Sequence, residues 1–277
     1  MKDIRLIALD LDGTLLDSKK CLSRQNREAL LECMRRGIEV VPCTGRIWSG
    51  VPDFIRELPG LHYAITVNGA VVEDLRHGFV LDEQKMSREK AVEILELARG
   101  FHTMYDVYVG GSGFGEQRFM TRMEDYGITL ELQKMIQNTR TIVPDVIELV
   151  KESTQLVEKI NCFFGDQEER QKVRKALTKR GDVLVTASFS NNLEINEPGA
   201  AKGEAVMRLA RHLDLKPQQT MGFGDGENDW TLISQTGIGV AMANAIDSLK
   251  EVADYVTLTN DEDGVAAALK HLLGIAI

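Results

Sequence analysis

No apolar run in the 277-residue sequence approaches the length needed to cross a membrane. The opening Met1-Lys2-Asp3-Ile4-Arg5 enters an apolar segment without the hydrophobic region and cleavage site of a secretory signal. Cysteine is scarce. Cys21, Cys33, Cys43 and Cys162 show neither CxxC spacing nor the density of a disulfide framework, which points to free thiols in a reducing compartment and argues against zinc. A basic cluster is also missing, and the net charge of -9 argues against general nucleic-acid binding, which rests on clustered Lys and Arg. There is no Pro- or Ser-rich linker, internal repeat or low-complexity segment. These absences leave a cytoplasmic protein with no membrane or nucleic-acid partner, a monomer or homodimer. The composition, 43% hydrophobic and 27% charged, supports one large domain or two smaller ones and not disorder.

The order of apolar segments gives the fold class. Ile4 to Leu9 reads as a buried parallel strand closed by Asp10, with Gly13 and Thr14 turning the chain. A helix follows from an N-cap at Ser23 to Arg36, with Ala29, Leu30, Cys33 and Met34 on its apolar face and Gly37 as its stop. Strands at Ile38–Pro42 and Tyr63–Val67 end in Thr44-Gly45-Arg46 and Asn68-Gly69. The alternation resumes with a helix at 202–213, a strand at 219–223, a helix at 229–236 and a strand at 239–242. This is the signature of a doubly wound α/β parallel sheet. Between about 83 and 191 the texture changes: strands are expected at 104–109, 117–121, 157–164 and 183–187, and helices at 124–137 and 168–179. The stretch reads as a second α/β module, 83–191, inserted into a core made of 1–82 and 192–277.

Four polar clusters fall at strand ends or helix starts: Asp10 to Thr14, Thr44 to Arg46, Lys202-Gly203, and Gly224 to Asp229. Ligands of open parallel sheets bind beyond the carboxyl ends of the strands, where these clusters would meet. Asp10, Asp12, Asp225 and Asp229 would crowd negative charge, and all-oxygen donors of this kind suit Mg²⁺. Lys202, Thr44 and amides near Gly13 and Gly45 add donors for phosphoryl oxygens. No His or reactive-Cys pair stands near these motifs, so a carboxylate is the candidate nucleophile. Asp10 projects directly from its strand. Asp12, two residues on, can share its side and act as acid, then base.

Taken singly, each cluster has a plainer reading. Thr44-Gly45 could be an ordinary strand-to-helix turn, Lys202 a solvated helix lysine, and Gly224 to Asp229 a turn. Arg46 reads as a surface residue and is left outside the catalytic set. Gly110 to Gly115 reads as a hairpin connection, Arg118 and Lys159 as exposed charges, and Cys43 as a small buried residue.

In order and spacing the chain resembles the haloacid dehalogenase superfamily, specifically Cof-type phosphatases with a large C2-type cap. The resemblance rests on DLDGTL at Asp10–Leu15, CTGR at Cys43–Arg46, NGA at Asn68–Ala70, AKG at Ala201–Gly203, GDGEND at Gly224–Asp229, GIGVAMANA at Gly237–Ala245 and TNDEDGVAAAL at Thr259–Leu269. It implies Asp10 as nucleophile and metal ligand, Asp12 as acid/base and ligand through its backbone carbonyl, and Asp225 as a further ligand of Mg²⁺. Thr44, Gly45, Lys202 and Asn228 would bind the phosphoryl group, and Asp229 would support the metal or Lys202. The insert would be a cap that faces the leaving group of a small phosphorylated metabolite, such as a sugar phosphate or phosphorylated cofactor. Trp230 and Ala200-Ala201 depart from the usual residues, without touching a catalytic atom. A phosphomutase, or a non-catalytic phosphometabolite-binding protein, would fit the same core.

Overall fold

The computed structural model describes residues 3–275, which divide into two compact units. One runs to Glu83 and resumes at Ala201; the other is Gln84–Ala200. The first contains a five-stranded, all-parallel sheet in the order Tyr255–Val256, Ile238–Ala241, Thr220–Gly224, Leu6–Leu9, Glu39–Pro42. Alternate residues of its strands feed two apolar layers, because side chains of a strand point to opposite faces. Ile7, Leu9, Met221, Phe223 and Val240 pack with Ala29, Leu30 and Cys33 of helix Arg24–Arg35 and with Val265 and Leu269 of helix Gly264–Leu273. Leu6, Ala8 and Val41 pack the other way, on Ala205, Val206 and Leu209 of helix Lys202–His212. The doubly wound reading therefore holds. Ser23 caps its helix by accepting from Asn26 N–H at 3.0 Å, and Gly37, at φ +76°, lies just past the end.

The strand Tyr63–Thr66 joins this layer through a bridge between Cys43 and Ile65, and it also begins an antiparallel meander with Val71–Asp74 and Phe79–Glu83. The sequence reading placed no strands at those last two segments.

The second unit holds a six-stranded sheet in the order Leu184–Thr186, Asn192–Asn196, Val157–Phe163, Met104–Val109, Ser112–Glu116, Arg140–Val143, with only the last pair parallel. Helices Arg88–Arg99, Val146–Glu152 and Gln167–Arg180 contribute Ile94, Ile147 and Val173 to an apolar cluster with Val107, Ile160 and Leu193. Several expectations shift here. The insert does not end at 191, because Asn192–Asn196 pairs with strands on both sides and the unit runs on to Ala200. Gly110-Gly111 is the hairpin connection, while 112–116 is the second strand and Gln117–Phe119 a 3-10 turn. The helix expected at 124–137 breaks at Gly127, φ +71°, into the short turn Met123–Tyr126 and helix Leu130–Thr139.

Val157–Phe163 is buried on both sides rather than half-buried. The face away from the apolar cluster is polar. There Lys159 Nζ donates to Glu194 Oε1 at 2.8 Å, and Arg140 Nε donates to Asp106 Oδ2 at 2.9 Å. Lys159 is thus a buried, paired cation and not the exposed charge expected, whereas Arg118 is half-exposed and paired with Glu116. The four cysteines form no disulfide; Cys21 is exposed and the others are buried. Among the described residues no helix is long and apolar enough to cross a membrane.

Candidate active site

Parallel register brings the acidic loops together. Leu9 lies beside Pro42 on one side and Phe223 on the other, so Asp10, Thr44 and Gly224-Asp225 leave three adjacent strands at their carboxyl ends. The chain runs one way from Leu6–Leu9 to Glu39–Pro42, and the later strands build outward from the opposite side. Asp10 therefore sits at the switch point of the sheet, the usual position for a ligand.

Lys202, the first residue of its helix, is fully buried and donates from Nζ to Asp10 Oδ1 and to Asp229 Oδ1, each at 2.6 Å. Asp229 is just as buried, and its Oδ2 accepts from Asp225 N–H at 2.9 Å and Gly226 N–H at 3.0 Å. It therefore supports both Lys202 and the Asp225 loop. Asp225 Oδ1 accepts from Thr14 Oγ1 at 2.8 Å. Asp10 Oδ2 takes no hydrogen bond from the described residues. Gly13, at φ +85°, has no room for a Cβ, which would run into the Asp225 carboxylate. Glycine is what lets the two acidic loops approach.

One carboxylate oxygen each from Asp10, Asp225 and Asp229 lie within 4.8 Å of one another. This oxygen-only set fits a hard divalent cation such as Mg²⁺. The electrostatics agree. Burial raises the Asp10 pKa well above the ordinary carboxylate value; Lys202 opposes this, while Asp229, Asp225 and Asp12 reinforce it. Burial, then Asp229, push Asp225 up to about 7 against the Thr14 hydrogen bond and Lys202. Burial would lower Lys202, but Asp10 and Asp229 more than offset it and hold the ammonium charged. The carboxylates carry more negative charge than one lysine neutralises.

Asp12, whose charge helps raise both Asp10 and Asp225, has cations of its own. Its carboxylate is clamped by Arg46, from Nε to Oδ2 and Nη2 to Oδ1, both at 2.7 Å, with Lys20 Nζ 3.0 Å from Oδ1. Burial works to raise its pKa, but Arg46 and then Lys20 outweigh that and hold it below the usual range. The sequence reading left Arg46 outside the site; its place beside Thr44-Gly45 was the available signal. Thr44 is buried, and its Oγ1 accepts from Arg46 N–H at 3.2 Å. Gly45 lies between them in the same turn. Asn228 Nδ2 donates to Asn68 Oδ1 at 3.2 Å. Asn68 is buried at φ +62° and was given no role from sequence, although the NGA segment marked its position. Hydrogen bonds thus join Asp10, Lys202, Asp225 and Asp229, link Asp12 and Thr44 through Arg46, and tie Asn228 to Asn68.

The haloacid dehalogenase-like hydrolase family matches residues 7–269, and the chain belongs to that family. Among its relatives, the phosphatase YwpJ of Bacillus subtilis is 32% identical, covering 98% of this chain and 100% of the relative. The 5-amino-6-(5-phospho-D-ribitylamino)uracil phosphatase YcsE of the same organism is 30% identical, over 97% of this chain and 96% of its own. A solved haloacid dehalogenase-like hydrolase from B. subtilis superposes with a TM-score of 0.86 at 32% identity, covering 97% of this chain and 100% of its own. The enzyme class expected from sequence, a hydrolase of phosphoric monoesters, agrees with the family and with these names.

Proposed function

We propose that this protein is a Mg²⁺-dependent phosphatase of small phosphorylated metabolites, sugar phosphates or phosphorylated cofactors, acting through a phosphorylated Asp10. The observation that carries the reading is the Asp10 carboxylate at the switch point, with Oδ1 on the buried Lys202 ammonium and one of its oxygens within 4.8 Å of one each from Asp225 and Asp229. Asp10, Asp225 and the backbone carbonyl of Asp12 would hold the metal. A bound Mg²⁺ supplies charge neutralisation for the carboxylates and for the phosphoryl oxygens.

In the first half-reaction an Asp10 oxygen attacks phosphorus, the ester P–O bond breaks, and protonated Asp12 gives its proton to the leaving oxygen. In the second, water attacks phosphorus and gives a proton to the Asp12 carboxylate; the Asp10–phosphorus bond then breaks to release phosphate. Lys202, Thr44, the Gly45 amide and Asn228 orient the phosphoryl group, and Asp229 holds Lys202. Asp12 in its Arg46 clamp is already the base form, so the acid step requires that clamp to open. We assign selection among leaving groups to the second unit, as its cap role implies.

A phosphate-release screen across phosphorylated metabolites with Mg²⁺ tests the proposal, with Asp10→Asn as control. Turnover should fall by at least about four orders of magnitude, as for loss of other covalent nucleophiles. An Asp10→Asn protein working near the wild-type rate would end the mechanism.

A further inference from the structure

Two C-terminal segments singled out in the sequence, Gly237–Ala245 and Thr259–Leu269, contribute no residue to the acidic group. Their contacts nevertheless converge on its two loops. Met242 N–H donates to Gly224 O and Ile246 N–H to Asp225 O, both at 3.1 Å, so the turn at 242–246 is fastened to the backbone of the Asp225 loop. From the middle of that turn, Asn244 Nδ2 donates to Gly13 O at 2.8 Å, within the Asp10–Thr14 loop. Asn244 Oδ1 accepts from Asn260 N–H at 3.0 Å. Asn260 Nδ2 in turn donates to Leu16 O at 2.9 Å, and Asp261 Oδ1 accepts from Ser18 N–H at 2.7 Å.

The amide of Asn244 uses both ends, a donor on a carbonyl and an acceptor on an N–H, which fixes its orientation. The residue is solvent-exposed and its partners Gly13 and Asn260 are partly exposed, so its removal costs little buried surface. What it does is tie Gly13 to the turn that grips Asp225. The two loops carry carboxylates that repel one another until a cation lies between them, and a neutral amide can hold them together without adding charge.

We propose that Asn244 is a positioning residue that sets the separation of the Asp10 and Asp225 loops and so tunes affinity for the divalent cation; this rests on the metal reading above. Its removal lets the Gly13 carbonyl turn to water and the loops relax apart, weakening the metal site while leaving the sheet intact.

The test is calorimetric titration of Mg²⁺ into substrate-free wild-type and Asn244→Ala protein, with thermal melting of both in EDTA. Affinity should fall roughly fivefold, the worth of one directed hydrogen bond, while the metal-free melting temperature moves by no more than a few degrees. The Mg²⁺ concentration giving half-maximal turnover should rise by the same factor, with kcat at saturating Mg²⁺ largely recovered. Unchanged affinity in Asn244→Ala would overturn the proposal whatever happens to stability. Should Asn244→Ala fail to fold, Asn244→Leu, close to it in volume, repeats the titration; failure of both to fold would make the residue structural and equally overturn it. Wild-type protein that binds no Mg²⁺ would sink the metal reading. Wild-type protein that binds Mg²⁺ but releases no phosphate from any substrate would sink the phosphatase reading and leave the role of Asn244 standing.

Discussion

Replacing Lys202 with methionine tests whether the buried ammonium holds the acidic group together. The side chain is fully buried, and its Nζ is 2.6 Å from both Asp10 and Asp229, so Lys202→Met keeps most of the volume and strands two carboxylates. Breaking a buried pair by removing one partner costs about 3–5 kcal/mol, a large share of the roughly 5–15 kcal/mol that a domain has in total. The sign with pH follows from linkage. The folded-state pKa of Asp10 is already raised above its ordinary value of 3.8, and loss of Lys202 raises it further. A carboxylate with a raised folded pKa carries no penalty below its unfolded pKa and the full penalty above its folded one. The deficit of the variant should therefore grow as pH rises and shrink toward about pH 4. Both tryptophans, Trp48 and Trp230, lie in the first unit, so denaturant unfolding followed by their fluorescence in EDTA reports on the unit that carries the change. Adding Asp10→Asn to Lys202→Met should recover part of the loss. Equal stability of variant and wild type near pH 8 without metal, or a deficit that grows as pH falls, would refute the electrostatic account.

Gly13→Ala should reduce phosphate release by more than about tenfold and destabilise by about 1–3 kcal/mol, since alanine must adopt a left-handed φ and drive the Asp225 loop away. Near wild-type kinetics in that variant would show that the close approach of the loops is unnecessary. With Asp225 pushed up to about 7, the folded metal-free protein keeps a proton that the unfolded chain has lost, so its stability falls as pH rises from about 4 to about 7. Mg²⁺ requires the carboxylate and must displace that proton, so affinity should climb with pH and level off above neutrality. Titrations near pH 6 in two buffers of different ionisation enthalpy would show the released proton; identical heats would count against it.

The core was legible because its strands are short apolar runs that end in polar residues, a pattern a buried parallel sheet imposes on each strand separately. The second unit was read less well for a physical reason. Its strand Asn192–Asn196 carries Asn192, Glu194 and Asn196 on one face, so it lacks the apolar run expected of an interior strand, and only its pairing on both sides reveals its place. Lys159 misled similarly: a lysine at an alternating position predicts solvent, whereas its buried partner Glu194 lies 35 residues further on. The strands at 71–83 were missed because each carries too short an apolar run: Val71 and Val72 are followed at once by Glu73 and Asp74, and Phe79 and Val80 are largely exposed.

At the site, sequence spacing named the charges but not how they are shared. Asp10 and Asp12 are two residues apart, which in a continuing strand puts them on one side, yet the strand ends at Leu9 and the turn at Gly13 gives them different partners. Lys202 went to Asp10 and Asp229, while Arg46 and Lys20 went to Asp12. The result is a raised pKa at the proposed nucleophile and a lowered one at the proposed acid, the reverse of what the first half-reaction needs. A positive charge placed among Asp10, Asp225 and Asp229 would lower Asp10, and a leaving group that opened the Arg46 clamp would raise Asp12. Removing divalent cations with EDTA should thus abolish turnover outright rather than slow it, at every pH between about 5 and 8, because no pH in that window deprotonates Asp10 and protonates Asp12 together. Appreciable phosphate release from the metal-free protein, restored by acid or by base alone, would show that this ordering of the two carboxylates is wrong.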